Sequence, residues 1–327
     1  MSTAPMSTAP MSTALVTGGR GFLGSSIVKA LVARGHVVHS LGRSDAPELQ
    51  ALGVHTFAGD VANLDDVERA MAGCDSVYHV AAKVGGWGAY EDYFRVNVTG
   101  THNVLRACRA HGVRHLVYTS TPSVVHSGGD LEGVDESTPY ATHFEAHYPA
   151  TKALAEQAVL RDNDDQLRTV ALRPHLVWGP GDNHMLPRVA ARARAGRIRL
   201  LSGPLKRVDT LFIDNAVDAH LGAMSELQQS ARCAGKAYFI AQGEPIESGR
   251  LINAMLDAIG LGPVDKRVPP AVVYAAGWLA EKVYGALGRT DEPPITRFAA
   301  SQLATSHFFD IRAAKRDFGY EPRVSFD

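Results

Sequence analysis

Short apolar runs alternate with longer amphipathic stretches along the first half of the chain. Runs rich in Val and Leu fall at 14–17, 36–41, 54–58, 76–80, 115–119 and 169–172. Short, continuous and apolar, they predict strands buried on both faces. The stretches 22–34, 64–72, 91–111 and 148–160 between them predict helices. In the first, Leu23, Ile27 and Leu31 recur at four-residue spacing and form one stripe that packs on a sheet. His111-Gly112 closes the third, with glycine supplying the left-handed cap. Strand–helix alternation predicts an α/β fold with a doubly wound parallel, Rossmann-like sheet and right-handed crossovers. Beyond about residue 175 the rhythm changes. Gly-Pro turns at 179–181, 203–204 and 262–263 separate longer helical runs, which predicts a smaller C-terminal substrate lobe.

The expected organisation is therefore a disordered lead over 1–13, a nucleotide-binding domain over 14–175 whose sheet later segments complete, and a mainly substrate-binding lobe over 176–327. The lead repeats MSTAP and lacks the basic region and apolar run of a signal peptide. No run approaches the roughly 20 apolar residues that span a bilayer. The nearest is 269–280, twelve residues without a charge, ended by Glu281 and Lys282. The overlapping run 270–288 carries Val272, Val273, Tyr274, Trp278, Leu279, Val283, Tyr284 and Leu287 at helical spacing. It reads first as core or dimer packing, and otherwise as a lid over an alkyl tunnel or a membrane-surface contact. Net charge is −1, from 33 Lys+Arg against 34 Asp+Glu, which speaks against nucleic acid as the partner. Three widely spaced cysteines fit neither a disulfide framework nor a metal site, so a reducing, cytoplasmic setting is expected. His143 and His147 stand four apart without the HExxH order, and no metal is expected.

The 31 glycines are more than average composition supplies. Four lie in Thr17-Gly18-Gly19-Arg20-Gly21-Phe22-Leu23-Gly24, between the first predicted strand and helix. A phosphate binds there on helix N-terminal amides. Gly18 permits the tight turn, Gly21 the approach of a pyrophosphate, and Gly24 close helix–strand packing. The end of the second strand selects the dinucleotide. An NAD site carries an acid there, on the ribose 2′-hydroxyl. This chain has none before Asp45 and offers Arg43 and Ser44, a pair suited to a 2′-phosphate. NADPH/NADP is thus expected ahead of NAD. Asp60, with Val61 after the third strand, reads either as an adenine contact or as a helix cap. Asp214 reads as an N-cap.

Tyr148-Pro149-Ala150-Thr151-Lys152 places a phenol and an ammonium at i and i+4 on one helix face. A free phenol, with pKa near 10, exchanges protons slowly at neutral pH, and a nearby ammonium lowers that value. The missing partner is a hydroxyl from the end of the preceding strand, where Thr119, Ser120, Thr121 and Ser123 stand.

Together, TGGRGFLG, YPATK, Asn97-Val98-Thr99-Gly100-Thr101 and Leu172-Arg173-Pro174 with Val177-Trp178-Gly179-Pro180-Gly181 resemble the extended short-chain dehydrogenase/reductase superfamily, in its 3β-hydroxysteroid dehydrogenase branch. The runs AAKVGGWGAYEDY, VYTSTPSVVH, PVDK and HFFDIRAAKRDFGYEP look like the bacterial 2-alkyl-3-oxoalkanoate reductases of long-chain olefin biosynthesis. The resemblance implies Tyr148 as proton donor, Lys152 as its activator and Thr121 in place of the family's serine, with Ser120 an alternative one residue earlier. Cofactor contacts are expected from Gly18, Gly21, Phe22, Leu23, Gly24, Arg43, Ser44, Asp60, Val61, Ala81, Lys83, Tyr148, Lys152, Pro174 and Val177. Lys83, Arg188 and His175 are candidates for a substrate carboxylate. Gly85, Gly86, Gly88, Gly179 and Gly181 are expected to rim the site. The implied substrate is a lipid-like β-keto acid, and the implied partners are a second copy and other olefin-pathway enzymes. Steroid or sterol dehydrogenation is the alternative, and a redox-silent NADP-binding regulator the alternative of another class.

Overall fold

A computed structural model describes residues 12–183 and 185–326. Most of the expected lead lies outside the described residues, and Thr13 already opens the first strand. Seven strands form the central sheet: β1 (Thr13–Thr17), β2 (Val37–Gly42), β3 (His55–Ala58), β4 (Ser76–His79), β5 (His115–Thr119), β6 (Arg168–Pro174) and β7 (Lys236–Ile240). Their order is β3-β2-β1-β4-β5-β6-β7, and every pairing is parallel. The six strands expected from the apolar runs are all present. The seventh comes from beyond residue 175 and completes the sheet.

Alternate residues of each strand feed two cores. On one face Val16, Val117 and Val170 pack with Ile27 and Leu31 of helix α1 (Phe22–Ala33). On the other, Leu15, Leu116 and Ala171 pack with α2 (Leu64–Met71), α3 (Gly100–Ala110) and α4 (His147–Arg161). Side chains buried on both faces explain the unbroken apolar character of the runs.

The expected single helix over 91–111 is instead three segments: Tyr90–Tyr93, a π-helical turn at Phe94–Thr99, and α3. Asn97 accounts for the widened turn. Its Oδ1 accepts from the Lys83 N–H at 2.8 Å, and its Nδ2 donates to Lys83 O and to Thr151 Oγ1, both at 3.0 Å. The extra residue in the turn brings this amide inward and ties the loop after β4 to α4. Gly100 then passes so close to Val61 that a Cβ would lie 2.7 Å from Val61 Cγ2.

Besides a single turn at Pro47–Gln50, the later helices are α5 (Met185–Arg194), α6 (Ile213–Gln228), α7 (Ser248–Ala258), α8 (Pro270–Ala286), α9 (Arg297–Ala304) and α10 (Arg312–Phe318). Helix α6 joins α1 on its face of the sheet, and its first turn, not its N-cap, holds Asp214; the cap is Phe212. A smaller four-stranded sheet combines Leu131–Val134, Arg207–Val208, Ile246–Glu247 and His307–Phe309. The two sheets therefore exchange segments across residue 175. Helix α8 does not serve the core: Gly277 is its one fully buried residue.

Candidate active site

The strand order reverses between β1 and β4, and ligands of open parallel sheets bind at such a point, beyond the carboxyl ends of the strands. A cavity of about 1930 Å³ opens there. All three predicted catalytic residues and every predicted cofactor residue line it.

The glycine loop forms one end. Gly18 has φ +72°, a conformation a side chain strains to adopt, and its N–H donates to Leu41 O at 2.8 Å. Gly21 N–H donates back to Gly18 O at 2.9 Å. A Cβ on Gly24 would lie 2.2 Å from Gly18 O, and one on Gly19 the same distance from Ser40 Oγ. Helix α1 starts at this loop with no side-chain cap and no acid in its first turn. Its first N–H groups and the positive end of its dipole therefore face the cavity uncompensated, which fits a pyrophosphate.

Arg43 and Ser44 lie past the end of β2, both exposed. Arg20, which the sequence reading passed over, reaches Ser44 Oγ through Nη1 and pairs with Glu48 through Nε at 3.2 Å. Its place inside the glycine loop was the available signal. Asp60 is not a helix cap, since Asn63 caps α2. Its carboxylate accepts from the Ala62 N–H at 3.0 Å and from Arg95 Nη1 at 2.6 Å. Burial raises the Asp60 carboxyl, but these donors and the Arg43 charge outweigh it and hold the group below its ordinary range.

Tyr148 and Lys152 sit on the first turns of α4, and Thr121 follows the end of β5 by two residues. Thr121 Oγ1 accepts from the Ser123 N–H at 3.3 Å and so caps the short turn Pro122–Val125. Ser120 is buried and its hydroxyl has no protein partner among the described residues. Burial pushes the Tyr148 phenol up to about 12, and the Thr121 hydroxyl beside it pulls the other way. Lys152 is 2 % exposed. Its ammonium donates to Thr119 O at 2.6 Å and lies 4.1 Å above the Tyr118 ring. Burial lowers it to about 7, against the attraction of Glu156. The expectation that this ammonium depresses the Tyr148 phenol is therefore not what the geometry gives. The i, i+4 spacing sets a shared helix face, and the Thr119 carbonyl draws the lysine down toward the sheet.

Beneath the site lies a net of neutral imidazoles. His79 bridges Thr17 Oγ1 at 2.7 Å and Thr101 Oγ1 at 3.0 Å, and burial drops it to about 3. His220 meets Thr119 Oγ1 at 2.9 Å. His175 is buried against His307 and Phe309, with its Nε2 lacking a protein partner among the described residues.

Of the candidate carboxylate partners, Lys83 is paired with Asp92 at 3.2 Å and Arg188 with Glu292, while His175 lines the cavity unpaired at Nε2. Gly85 and Gly86 line the cavity; Gly88, Gly179 and Gly181 do not. Gly179 instead packs on Ile213, where a Cβ would lie 2.7 Å from Cγ2. Among the described residues no cluster of His, Cys, Asp or Glu is arranged to hold a metal ion, and no helix is long and apolar enough to cross a membrane.

The sequence matches the 3-beta hydroxysteroid dehydrogenase/isomerase family over residues 15–267. It is 50% identical over 315 residues to a 2-alkyl-3-oxoalkanoate reductase of Stenotrophomonas maltophilia, covering 96% of each chain. A protein of the same name from Shewanella oneidensis is 48% identical, over 95% of this chain and 83% of that one. Among solved structures, the UDP-glucose 4-epimerase of Thermus thermophilus in complex with NAD superposes with a TM-score of 0.70 at 26% identity, covering 96% of this chain and 95% of that one. The chain belongs to the 3-beta hydroxysteroid dehydrogenase/isomerase family and is an NAD(P)-dependent oxidoreductase with the extended short-chain dehydrogenase/reductase fold.

Proposed function

We propose that the chain reduces the 3-oxo group of a 2-alkyl-3-oxoalkanoate with NADPH. The supporting observation is one continuous cavity that joins the glycine loop, the Arg20–Arg43–Ser44 corner and the Thr121, Tyr148 and Lys152 side chains. The identity to reductases of that name supports the substrate class. Arg20 and Arg43 supply positive charge where an NAD site would place an acid, which favours a 2′-phosphate.

Bound along this surface, NADPH supplies the hydride. The Thr121 and Tyr148 hydroxyls hold the substrate oxygen and stabilise the charge that develops on it. With its pKa near 12 the phenol stays protonated at neutral pH and is the group that gives its proton to the forming alkoxide. Lys152, lowered by burial and anchored on Thr119 O, places its amino group under the site. His175 offers a neutral imidazole toward the substrate side. Reduction keeps the carboxylate of an acid that otherwise loses CO2 readily.

The family match also supports a second reading, oxidation of a 3β-hydroxysteroid. Incubating the protein with NADP+ and either a 2-alkyl-3-hydroxyalkanoate or a 3β-hydroxysteroid separates the two. Cofactor reduction with the hydroxy acid is expected, and reduction with the steroid alone overturns the assignment.

A further inference from the structure

Helix α8 is apolar nearly all round, yet the fold leaves most of it uncovered. Between Pro270 and Leu287 the charges are Glu281 and Lys282 alone. Glu281 is turned inward, accepting from Arg297 N at 2.7 Å and Nε at 2.6 Å. Gly277 seats the helix on the chain entering α9, where a Cβ would lie 2.8 Å from the Thr296 carbonyl carbon. Around the rest of its circumference the helix presents Val272, Tyr274, Trp278, Leu279 and Val283, with Leu287 just past its end, from 41% exposed at Tyr274 to 67% at Leu287. Lys282 folds back over the Trp278 ring, 5.9 Å away, leaving its stem along the apolar face. A helix with such a face is covered by something in its working state.

The surroundings say what kind of cover fits. From Met185 to Arg199 the chain holds five arginines and no acid. Arg192 donates to Pro294 O, so this segment runs beside the loop that follows α8. The short strand Arg267–Val268, just before α8, pairs with Leu200–Leu201, which brings Arg199 and Arg267 together. Arg192, Arg197, Arg199 and Arg267 line the same cavity as Val272, Val273 and Ala276 of α8. Arg188 is already paired with Glu292, so this part of the lining joins apolar α8 side chains to these other four arginines. That combination fits an anionic lipid interface, where the apolar face enters the acyl boundary and the arginines meet headgroups. Seventeen residues give about 26 Å of helix, short of a bilayer core, and one side is already packed, so the helix lies on the surface without crossing it.

We propose that α8 and the arginine segment 188–199 dock the enzyme on an anionic lipid surface, with the cavity opening at the docked rim. The inference rests on the proposed substrate for its purpose only: a two-chain keto acid partitions into lipid and would be taken up from there.

Sedimentation of the full chain with vesicles tests it without turnover. Vesicles of equal parts phosphatidylcholine and phosphatidylglycerol are expected to carry the protein down, pure phosphatidylcholine much less, and added salt to weaken binding. A triple variant, Trp278→Glu, Leu279→Glu and Val283→Glu, alters exposed residues outside the cavity lining, so melting temperature and NADPH affinity should hold while vesicle affinity falls about tenfold or more. Wild-type protein that stays in the supernatant with the mixed vesicles overturns the proposal. So does a triple variant that sediments like wild type. Light scattering that shows a wild-type dimer, split by the triple variant and indifferent to vesicles, also overturns it and assigns the face to a second copy.

Discussion

Replacing Gly24 by alanine probes whether the glycine loop is built around a dinucleotide. The new Cβ would lie 2.2 Å from Gly18 O, 2.8 Å from Gly18 C and 3.1 Å from Gly19 Cα. All three are backbone atoms, so no side chain can swing aside. Overpacking of this kind costs about 1–3 kcal/mol when the surroundings hold. The loop is the part free to give, and it carries the amides that would meet the pyrophosphate. Each lost hydrogen bond to a charged group is worth about 1.5–3 kcal/mol, or about 10- to 100-fold in affinity. Gly21 offers a graded comparison, because its Cβ would meet Gly18 O at 3.2 Å, tight but accommodable. Gly129 is the control, with no positive φ and nothing within 4 Å. The assay is NADPH fluorescence titration beside thermal unfolding. The expected order of NADPH affinity is wild type and Gly129→Ala, then Gly21→Ala, then Gly24→Ala. A Gly24→Ala protein that binds NADPH as tightly as wild type would falsify the loop assignment.

Two further outcomes follow from the charges. Arg43→Ala should weaken NADPH about tenfold or more and leave NADH nearly unchanged, since only the former carries a 2′-phosphate; equal losses for both cofactors would remove Arg43 from that role. Acid should destabilise the fold before most carboxylates titrate. Burial lowers His79 and His175 to about 3, His220 to about 4 and His307 to about 2. The unfolded chain binds those protons near pH 6.5 and the native state does not, so stability is lost as the pH falls from 6.5 toward 4, at about 1.4 kcal/mol per pH unit for each imidazole. Urea midpoints that stay flat across that window would contradict the neutral buried net.

Much of this architecture is legible in the sequence because the central strands are buried on both faces. Leu15 and Val16, or Leu116 and Val117, each need an apolar neighbour in a different layer, and that leaves an unbroken run. Strand β7 escaped because it lies more than 60 residues beyond β6 and is defined by its long-range partner, Lys236 beside Val170 onward, not by local rhythm. Spacing placed Tyr148 and Lys152 on one face but could not set the lysine rotamer, which the Thr119 carbonyl decides. The π turn depends on where Asn97 finds three hydrogen-bond partners, all distant in sequence or on another element. The apolar run of α8 looks like core in sequence, because hydropathy says what a helix can bury and not what the tertiary fold lays over it.

Tyr148 carries the central claim, that a protonated, buried phenol supplies the proton during carbonyl reduction. NADPH oxidation with a 2-alkyl-3-oxoalkanoate, measured for wild type and Tyr148→Phe, tests it directly. The phenylalanine variant should bind NADPH normally and lose kcat by about 100-fold or more, the range of a lost general acid. Undiminished turnover by Tyr148→Phe would contradict the account.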